Sequence, residues 1–244
     1  MRVVCIIQAR MGSERLPGKV LMDIVGKPML DHILVRLSHS QRITEVVVAT
    51  SSNPEDDLIA RFCQERNTSV FRGSELDVLA RYYDAACQYQ ADIVVRVTAD
   101  CPLVDYEGID ELIGEIEQRN VDYLSFNSKP LPRGLTGEVF TFAALKLAHE
   151  TAHQPYEREH VTIHMYEHPE KFRLASVEAP AWMHRPNYRL TVDTPADIQL
   201  IRSIYEILLS QREIIDLQKV IELMDHSPEL QTINGHIQQK DPKK

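Results

Sequence analysis

The chain has 244 residues, 43% hydrophobic and 26% charged, with a formal net charge of -9. That length can bury one substantial core and lies near the upper size for a single domain. The acidic balance argues against a nucleic-acid binder, because most of the surface would repel a polyanion. No apolar run approaches the roughly 20 residues of a membrane span.

The first element is Val3-Val4-Cys5-Ile6-Ile7, a β-branched apolar run that predicts a buried strand. It is too short for the apolar core of a signal peptide, and polar residues follow at once. The run opens into Gln8 to Lys19, where Arg10, Arg15 and Lys19 share a loop with Gly12, Ser13, Pro17 and Gly18. Loop amides and guanidinium forks of this kind converge on phosphate oxygens. By composition alone, a solvated basic loop after an edge strand is an equal alternative. Charge favours the anion: over the first 19 residues Arg2, Arg10, Arg15 and Lys19 face Glu14 alone, on a chain that is otherwise acidic.

Helix and strand signals then alternate. Leu30, Ile33, Leu34 and Leu37 keep helical spacing behind Pro28. Val46 to Ala49 is a strand. Asn53-Pro54-Glu55-Asp56-Asp57 carries a capping residue, a proline and acids at the positive end of a helix dipole, with Leu58, Ile59, Phe62 and Cys63 as the buried face. Ser74 begins a further helix with Leu76, Leu79, Tyr82, Tyr83 and Ala86 as its stripe, and Ile93 to Val97 is the next strand. This rhythm predicts an α/β fold: a doubly wound, mainly parallel sheet with helices on both faces. The second half is less regular and predicts a small mixed insertion. Lys129 to Gly134 reads as a loop, Glu138 to Phe142 as a strand, Phe142 to His153 and Glu157 to His168 as helices, and Arg173 to Val177 and Tyr188 to Val192 as strands. Pro195 opens a long helix through Ile198, Ile201, Ile204, Tyr205 and Leu208. A last helix spans Glu213 to Met224, and a polar tail follows, disordered over Gln238 to Lys244. With no repeat and no long linker, residues 1–225 form one domain: 1–125 the nucleotide-binding half, 126–190 a substrate and oligomerisation section, with 226–244 as tail.

Cys5, Cys63, Cys87 and Cys101 form no CxxC pair. Three lie in apolar segments and read as buried free thiols, with Cys101 beside Asp100 the exception. A soluble protein of a reducing compartment, cytoplasmic, is expected.

Two aspartates fall at strand ends, where doubly wound sheets bind ligands. Asp100 follows the strand ending at Val97, and Asp193 closes Arg189-Leu190-Thr191-Val192-Asp193. Singly, each has a structural alternative: Asp100 turning the chain before Pro102, Asp193 capping the helix at Pro195, although Thr194 is better placed to cap. As a pair beside a basic loop they read as ligands for Mg²⁺ on a triphosphate.

Ala9-Arg10-Met11-Gly12-Ser13-Glu14-Arg15-Leu16-Pro17-Gly18-Lys19 resembles the signature loop of the nucleotidyltransferases that activate acidic sugars as CMP derivatives, among them the 3-deoxy-manno-octulosonate and acylneuraminate cytidylyltransferases. The full-length pattern is most similar to the spore-coat polysaccharide branch. Ala49-Thr50-Ser51, Asp77 to Tyr82, Ala99 to Leu103 and Val192 to Asp197 extend the resemblance over nearly the whole chain, in order. It implies a Rossmann-like nucleotide-diphospho-sugar transferase fold and CTP as the nucleotide. Ala9, Arg10, Gly12, Ser13, Arg15 and Lys19 would hold the triphosphate, with Arg15, Lys19 and Asp100 catalytic, and Asp100 and Asp193 on Mg²⁺. Asp77 and Arg81, one turn apart, either line the nucleotide pocket or form a surface ion pair.

The chain departs from the octulosonate enzymes at Arg133 to Phe140, which leaves the acceptor open: a sugar, a sugar acid or a phosphorylated molecule. Glu138, Arg158 and His160 are the substrate-binding candidates, Arg158 as a bidentate grip on an anion. A solvated helix start is the alternative for Glu157 to His160. His160, His164 and His168 repeat at helical spacing, but with no carboxylate spaced to complete a zinc site they read as a partly exposed helix face. A homodimer through the middle section remains open. The expected activity is Mg²⁺-dependent nucleotidyl transfer with release of pyrophosphate, in glycoconjugate precursor synthesis. The rivals are a glycosyltransferase of the same architecture and a silent nucleotide-binding module.

Overall fold

A computed structural model describes residues 1–209 and 214–239. Its centre is β1 (Val3–Gln8), whose residues alternate between two apolar layers: Val3, Cys5 and Ile7 enter one cluster, Val4 and Ile6 the other. A strand covered on both faces must be apolar throughout, which is why this run shows no polar alternation. The hairpin β2 (Asp23–Ile24) and β3 (Lys27–Pro28) leads to α1 (Met29–Leu37), and then come β4 (Glu45–Ser51), α2 (Asp57–Glu65), β5 (Ser69–Gly73), α3 (Val78–Gln88), β6 (Ile93–Thr98) and α4 (Tyr106–Gln118). The second half adds β7 (Tyr123–Phe126), β8 (Glu138–Thr141), α5 (Phe142–Thr151), α6 (Pro155–Glu159), α7 (Ile163–Glu167), β9 (Leu174–Val177), α8 (Pro195–Leu208), α9 (Leu217–His226) and α10 (Pro228–Asn234).

Seven strands form one sheet in the order β5-β4-β1-β6-β8-β7-β9. β8 alone runs antiparallel to its neighbours. Leucines and isoleucines of α1, α2, α4, α8 and α9 fill one layer, and apolar residues of α3, α5 and α7 fill the other. Winding reverses between β1 and β6, and the crevice outside the carboxyl ends of these strands is where such sheets bind ligands. No helix among the described residues is long and apolar enough to cross a membrane.

Several expectations need correction. Tyr188 to Val192 is no strand. The segment is extended, but Leu190 N donates to Arg133 O and Val192 N to Asp100 O, so its hydrogen bonds go to two loops, and only Arg133 and Arg189 pair as a bridge. Its apolar pattern reflects burial of Leu190 and Val192, not a ladder. Glu157 to His168 is not one helix: Val161, fully buried, adopts φ +45° and separates α6 from α7, a conformation rare for a β-branched residue. His164 is buried, not on an exposed face. Leu76 precedes α3 and is 81% exposed, and Leu58 is 48% exposed. Cys87 is exposed, while Cys5, Cys63 and Cys101 are buried. Asn53 offers no side-chain cap, and its amide goes to Glu75. The expected polar tail begins with a further helix, α10, which buries Leu230 and Asn234. Glu213, the expected start of the last helix, and residues 240–244 of the expected disordered tail lie outside the described residues.

Candidate active site

The basic loop leaves β1 at Ala9 and is held by hydrogen bonds from within and from behind. Ser13 N and Gly18 N both donate to Met11 O, closing the turn, and Gly18 takes φ +71°, which glycine accepts without penalty. From behind, Met11 N donates to Asp56 Oδ1 at 2.6 Å. Asp56 is 1% exposed and also accepts from Ser51 N and Ser51 Oγ. The Ala49-Thr50-Ser51 strand end thus sets the loop through a carboxylate that the sequence pattern does not single out.

Lys19 begins a single 3-10 turn, Lys19–Leu21, and its ammonium is the centre of the site. Nζ donates to Asp100 Oδ2 at 3.0 Å, Asp193 Oδ1 at 2.9 Å and Val192 O at 2.7 Å. Burial would lower this amine, but Asp100 and Asp193 outweigh it and raise the Lys19 pKa, so the lysine stays charged. Asp193 also meets Arg15 Nη2 at 3.1 Å and Arg189 Nη2 at 2.5 Å. Its burial would favour the neutral acid, yet Lys19, Arg15 and Arg189 hold its carboxyl below the usual range. Asp100 is more open. Its Oδ1 accepts from Thr98 Oγ1, and a quarter of its side chain is exposed. Cys101 beside it is buried and its thiol is pushed up to about 12, first by burial and then by the Asp100 charge, which makes it inert as a nucleophile.

A second tier, not foreseen from the sequence, fixes Asp193. Thr194 caps α8 by accepting from Asp197 N, and Asp197, fully buried, accepts in return from Thr194 N and Asp193 N. The same carboxylate takes Arg189 Nε at 2.9 Å and Asn234 Nδ2 at 2.8 Å. Arg189 is thereby aimed at Asp193, and α10 is tied to the site. Gly134, at φ +98°, lets its loop press against Leu190 and Thr191; an added Cβ would lie 2.6 Å from Thr191 N.

The other candidates lie to one side. Gln8, Ala9, Arg10, Val78, Arg81, Glu159 and His160 line a recess of about 120 Å³. Arg10 lies 3.8 Å from Glu75. Arg81 is 2% exposed and donates through Nη1 to Ser74 O, with Nε unpartnered. Asp77 and Arg81 do not pair with each other. Asp77 caps α3 and is gripped by Arg158, whose Nε meets both its oxygens at 3.0 Å and whose Nη2 meets Oδ2 at 2.6 Å. Arg158 also donates to His149 O, so this guanidinium ties α6 to α3. Glu138 faces Arg96, Tyr123 and Thr162. Gly12 packs its backbone close to Glu55.

Set beside known proteins, residues 4–222 match the family model described as cytidylyltransferase. The chain belongs to the cytidylyltransferase family. It is therefore an enzyme of the nucleotidyl-transfer class, as the signature loop implies. This cytidylyltransferase is 34% identical over 235 residues to the spore coat polysaccharide biosynthesis protein SpsF of Bacillus subtilis, covering 94% of the chain and 97% of that protein. It is 39% identical over 242 residues to the uncharacterized protein MJ1063 of Methanocaldococcus jannaschii, covering 98% of the chain and 97% of that protein. Among solved structures, a cytidylyltransferase from Leptospira borgpetersenii superposes with a TM-score of 0.87 at 34% identity, covering 99% of this chain and 100% of the other.

Proposed function

We propose that this cytidylyltransferase moves a cytidylyl group from CTP to a sugar, a sugar acid or a phosphorylated acceptor and releases pyrophosphate, in the synthesis of surface polysaccharide or glycoconjugate precursors. The observation that carries the reading is the convergence of Lys19, Arg15, Asp100 and Asp193 at the sheet's switch point, beside the recess formed by Ala9, Arg10, Arg81 and His160. Transfer of this kind needs positioning and charge neutralisation more than a covalent nucleophile, and the buried Cys101 thiol is unsuited to being one.

Lys19 and Arg15 neutralise charge on the departing pyrophosphate. Arg10 and the amides around Gly12 and Ser13 hold the rest of the triphosphate, and Arg81 and His160 line the nucleoside side. Asp100 and Asp193 fit Mg²⁺: their oxygens lie within 3.0 Å of one ammonium, so two hard anions already converge on a cation. These two residues would hold the ion, which when bound neutralises the reacting phosphate. Arg158, spent on Asp77, acts by positioning α6, and with it Glu159 and His160, against the recess. On the acceptor side, Arg133 is exposed and senses the charges of Arg189, Asp193 and Asp100. It suits an anionic group on the incoming molecule. A glycosyltransferase would release a nucleoside diphosphate and no pyrophosphate, so the released product separates the two.

The test is a screen of pyrophosphate release, crossing CTP, UTP, ATP and GTP with acidic sugars, sugar phosphates and other phosphorylated acceptors, with and without Mg²⁺. Acceptor- and Mg²⁺-dependent release with CTP supports the reading. Turnover with nucleotide-sugars and none with any triphosphate would overturn it.

A further inference from the structure

The break at Val161 folds α7 back so that three side chains from α6, α7 and the turn after it meet away from the triphosphate loop. Glu157 Oε1 lies 2.8 Å from His164 Nδ1 and 3.6 Å from His168 Nε2, and one ligand atom from each residue falls within 4.8 Å of the others. Glu157 and His164 are buried, and His168 is one-third exposed, which leaves an entry path.

The outer hydrogen bonds show what those atoms are poised for. Thr151 Oγ1 donates its one proton to Leu147 O at 2.7 Å, so toward His164 Nε2, at 2.8 Å, it can only accept. His164 Nε2 therefore donates to Thr151, and Nδ1 shares a hydrogen with Glu157, the hydrogen that a metal ion would displace. His168 makes the same arrangement in reverse: its Nδ1 faces Glu170 at 2.9 Å and its Nε2 faces Glu157. The second oxygen of Glu157 is occupied by the amides of His153 and Gln154, at 3.0 and 2.9 Å. One carboxylate oxygen and two imidazole nitrogens therefore lie within 4.8 Å of one another, each ring and the carboxylate held by an outer partner. A cation is the group that satisfies all three.

We propose that Glu157, His164 and His168 form a binding site for a divalent transition-metal ion, Zn²⁺ by ligand chemistry, separate from the carboxylate pair of the triphosphate site. Two imidazoles and a carboxylate are borderline-soft ligands that suit Zn²⁺ better than Mg²⁺. Ligands about 2.0–2.1 Å from a tetrahedral ion stand about 3.3 Å apart, and the observed 2.8 and 3.6 Å straddle that figure. The ion clips α6 to α7 across the strained Val161 turn, and α6 carries Arg158 and leads into His160. It is thus a structural clip on the wall of the nucleotide recess.

The experiment is calorimetric titration of Zn²⁺ into full-length protein stripped with chelator, with metal content measured after dialysis and thermal unfolding recorded with Zn²⁺ or Mg²⁺. One Zn²⁺ per chain is expected, with a rise in Tm that Mg²⁺ does not reproduce. His168→Ala, at a partly exposed position that the fold tolerates, is expected to weaken Zn²⁺ by about 100-fold or more. Thr151→Val removes an outer partner and is expected to weaken it by about 10- to 100-fold. His226→Ala, an exposed histidine on α9, is expected to change nothing. Co²⁺ in place of Zn²⁺ should give the visible bands of a tetrahedral nitrogen–oxygen site in wild type and lose them in His168→Ala. No stoichiometric Zn²⁺ in wild type, or equal binding by wild type and the His168→Ala variant, overturns the site and leaves the cluster as a proton-bridged His–Glu pair.

Discussion

Replacing Asp197 with alanine should destabilise the enzyme severely, although its carboxylate stands behind Asp193 and outside the nucleotide recess. That carboxylate is fully buried and accepts from Arg189, Asn234, Thr194 N and Asp193 N. Its removal leaves the Arg189 cation, only 8% exposed, with Asp193 as its one remaining carboxylate, and removes the return arm of the α8 capping box. Asn234 Nδ2, Thr194 N and Asp193 N lose their buried acceptor at about 1–3 kcal/mol each, and the lower part of that range gives about 3–5 kcal/mol. At roughly 2–4 °C per kcal/mol for a domain of this size, Tm should fall by about 6–20 °C. Burial alone would raise the Asp197 carboxyl, but Arg189, Asn234 and the Asp193 amide hold it below the usual carboxylate range. Its folded-state pKa is therefore depressed: the stabilisation is complete above the unfolded carboxyl's value near pH 4 and is lost as pH falls through the lower folded value. The gap in Tm between wild type and Asp197→Asn should accordingly be widest near neutral pH and narrow on acidification below about pH 4. Circular dichroism melts of wild type, Asp197→Ala and Asp197→Asn across that range supply the test. A fall in Tm of less than about 2 °C for Asp197→Ala, instead of about 6–20 °C, would refute the reasoning.

Other outcomes follow from the same geometry. Lys19→Ala removes the cation between Asp100 and Asp193 and should lower kcat by about 10²–10³, the usual loss for one preorganised electrostatic group, as read by pyrophosphate release. Asp56→Ala leaves the Met11 amide without its acceptor and should cost about 1–3 kcal/mol in a denaturant melt. It should raise KM for the nucleotide more than it lowers kcat, because it frees the loop without touching Asp100. Gly134→Ala forces a Cβ against Thr191 N at φ +98° and should cost about 1–3 kcal/mol or more, visible as a lower Tm together with lost turnover.

Local pattern carries most of the fold and one half of the site. β1, β4 and β6 are continuous apolar runs because they are covered on both faces, and that burial is legible residue by residue. The Gln8–Lys19 loop and the two aspartates are legible because cations, glycines and paired carboxylates coincide there, and the structure brings Lys19, Asp100 and Asp193 together. Partnerships across long separations are not legible in the same way. Arg189 and Asp197 read as a strand residue and an ordinary helix-start acid, yet they aim Asp193. Asp56 reads as a helix-dipole acid and in fact holds the loop 45 residues earlier. Arg158 reads as ready for a substrate anion, but Asp77 claims it over a separation of 81 residues. Spacing fails outright at Val161. A helical repeat of histidines presumes an unbroken helix, and the positive φ there brings Glu157 to His164 and His168, a carboxylate that straight-helix spacing excludes.

The central claim is that the basic loop and the Asp100 and Asp193 carboxylates carry out nucleotidyl transfer together. Pyrophosphate release from CTP by Arg15→Ala and Asp100→Ala, each shown folded by an unchanged melting profile, tests it most directly. Both variants are expected to lose turnover by orders of magnitude while keeping the wild-type fold. Near-normal turnover in both folded variants would contradict the claim.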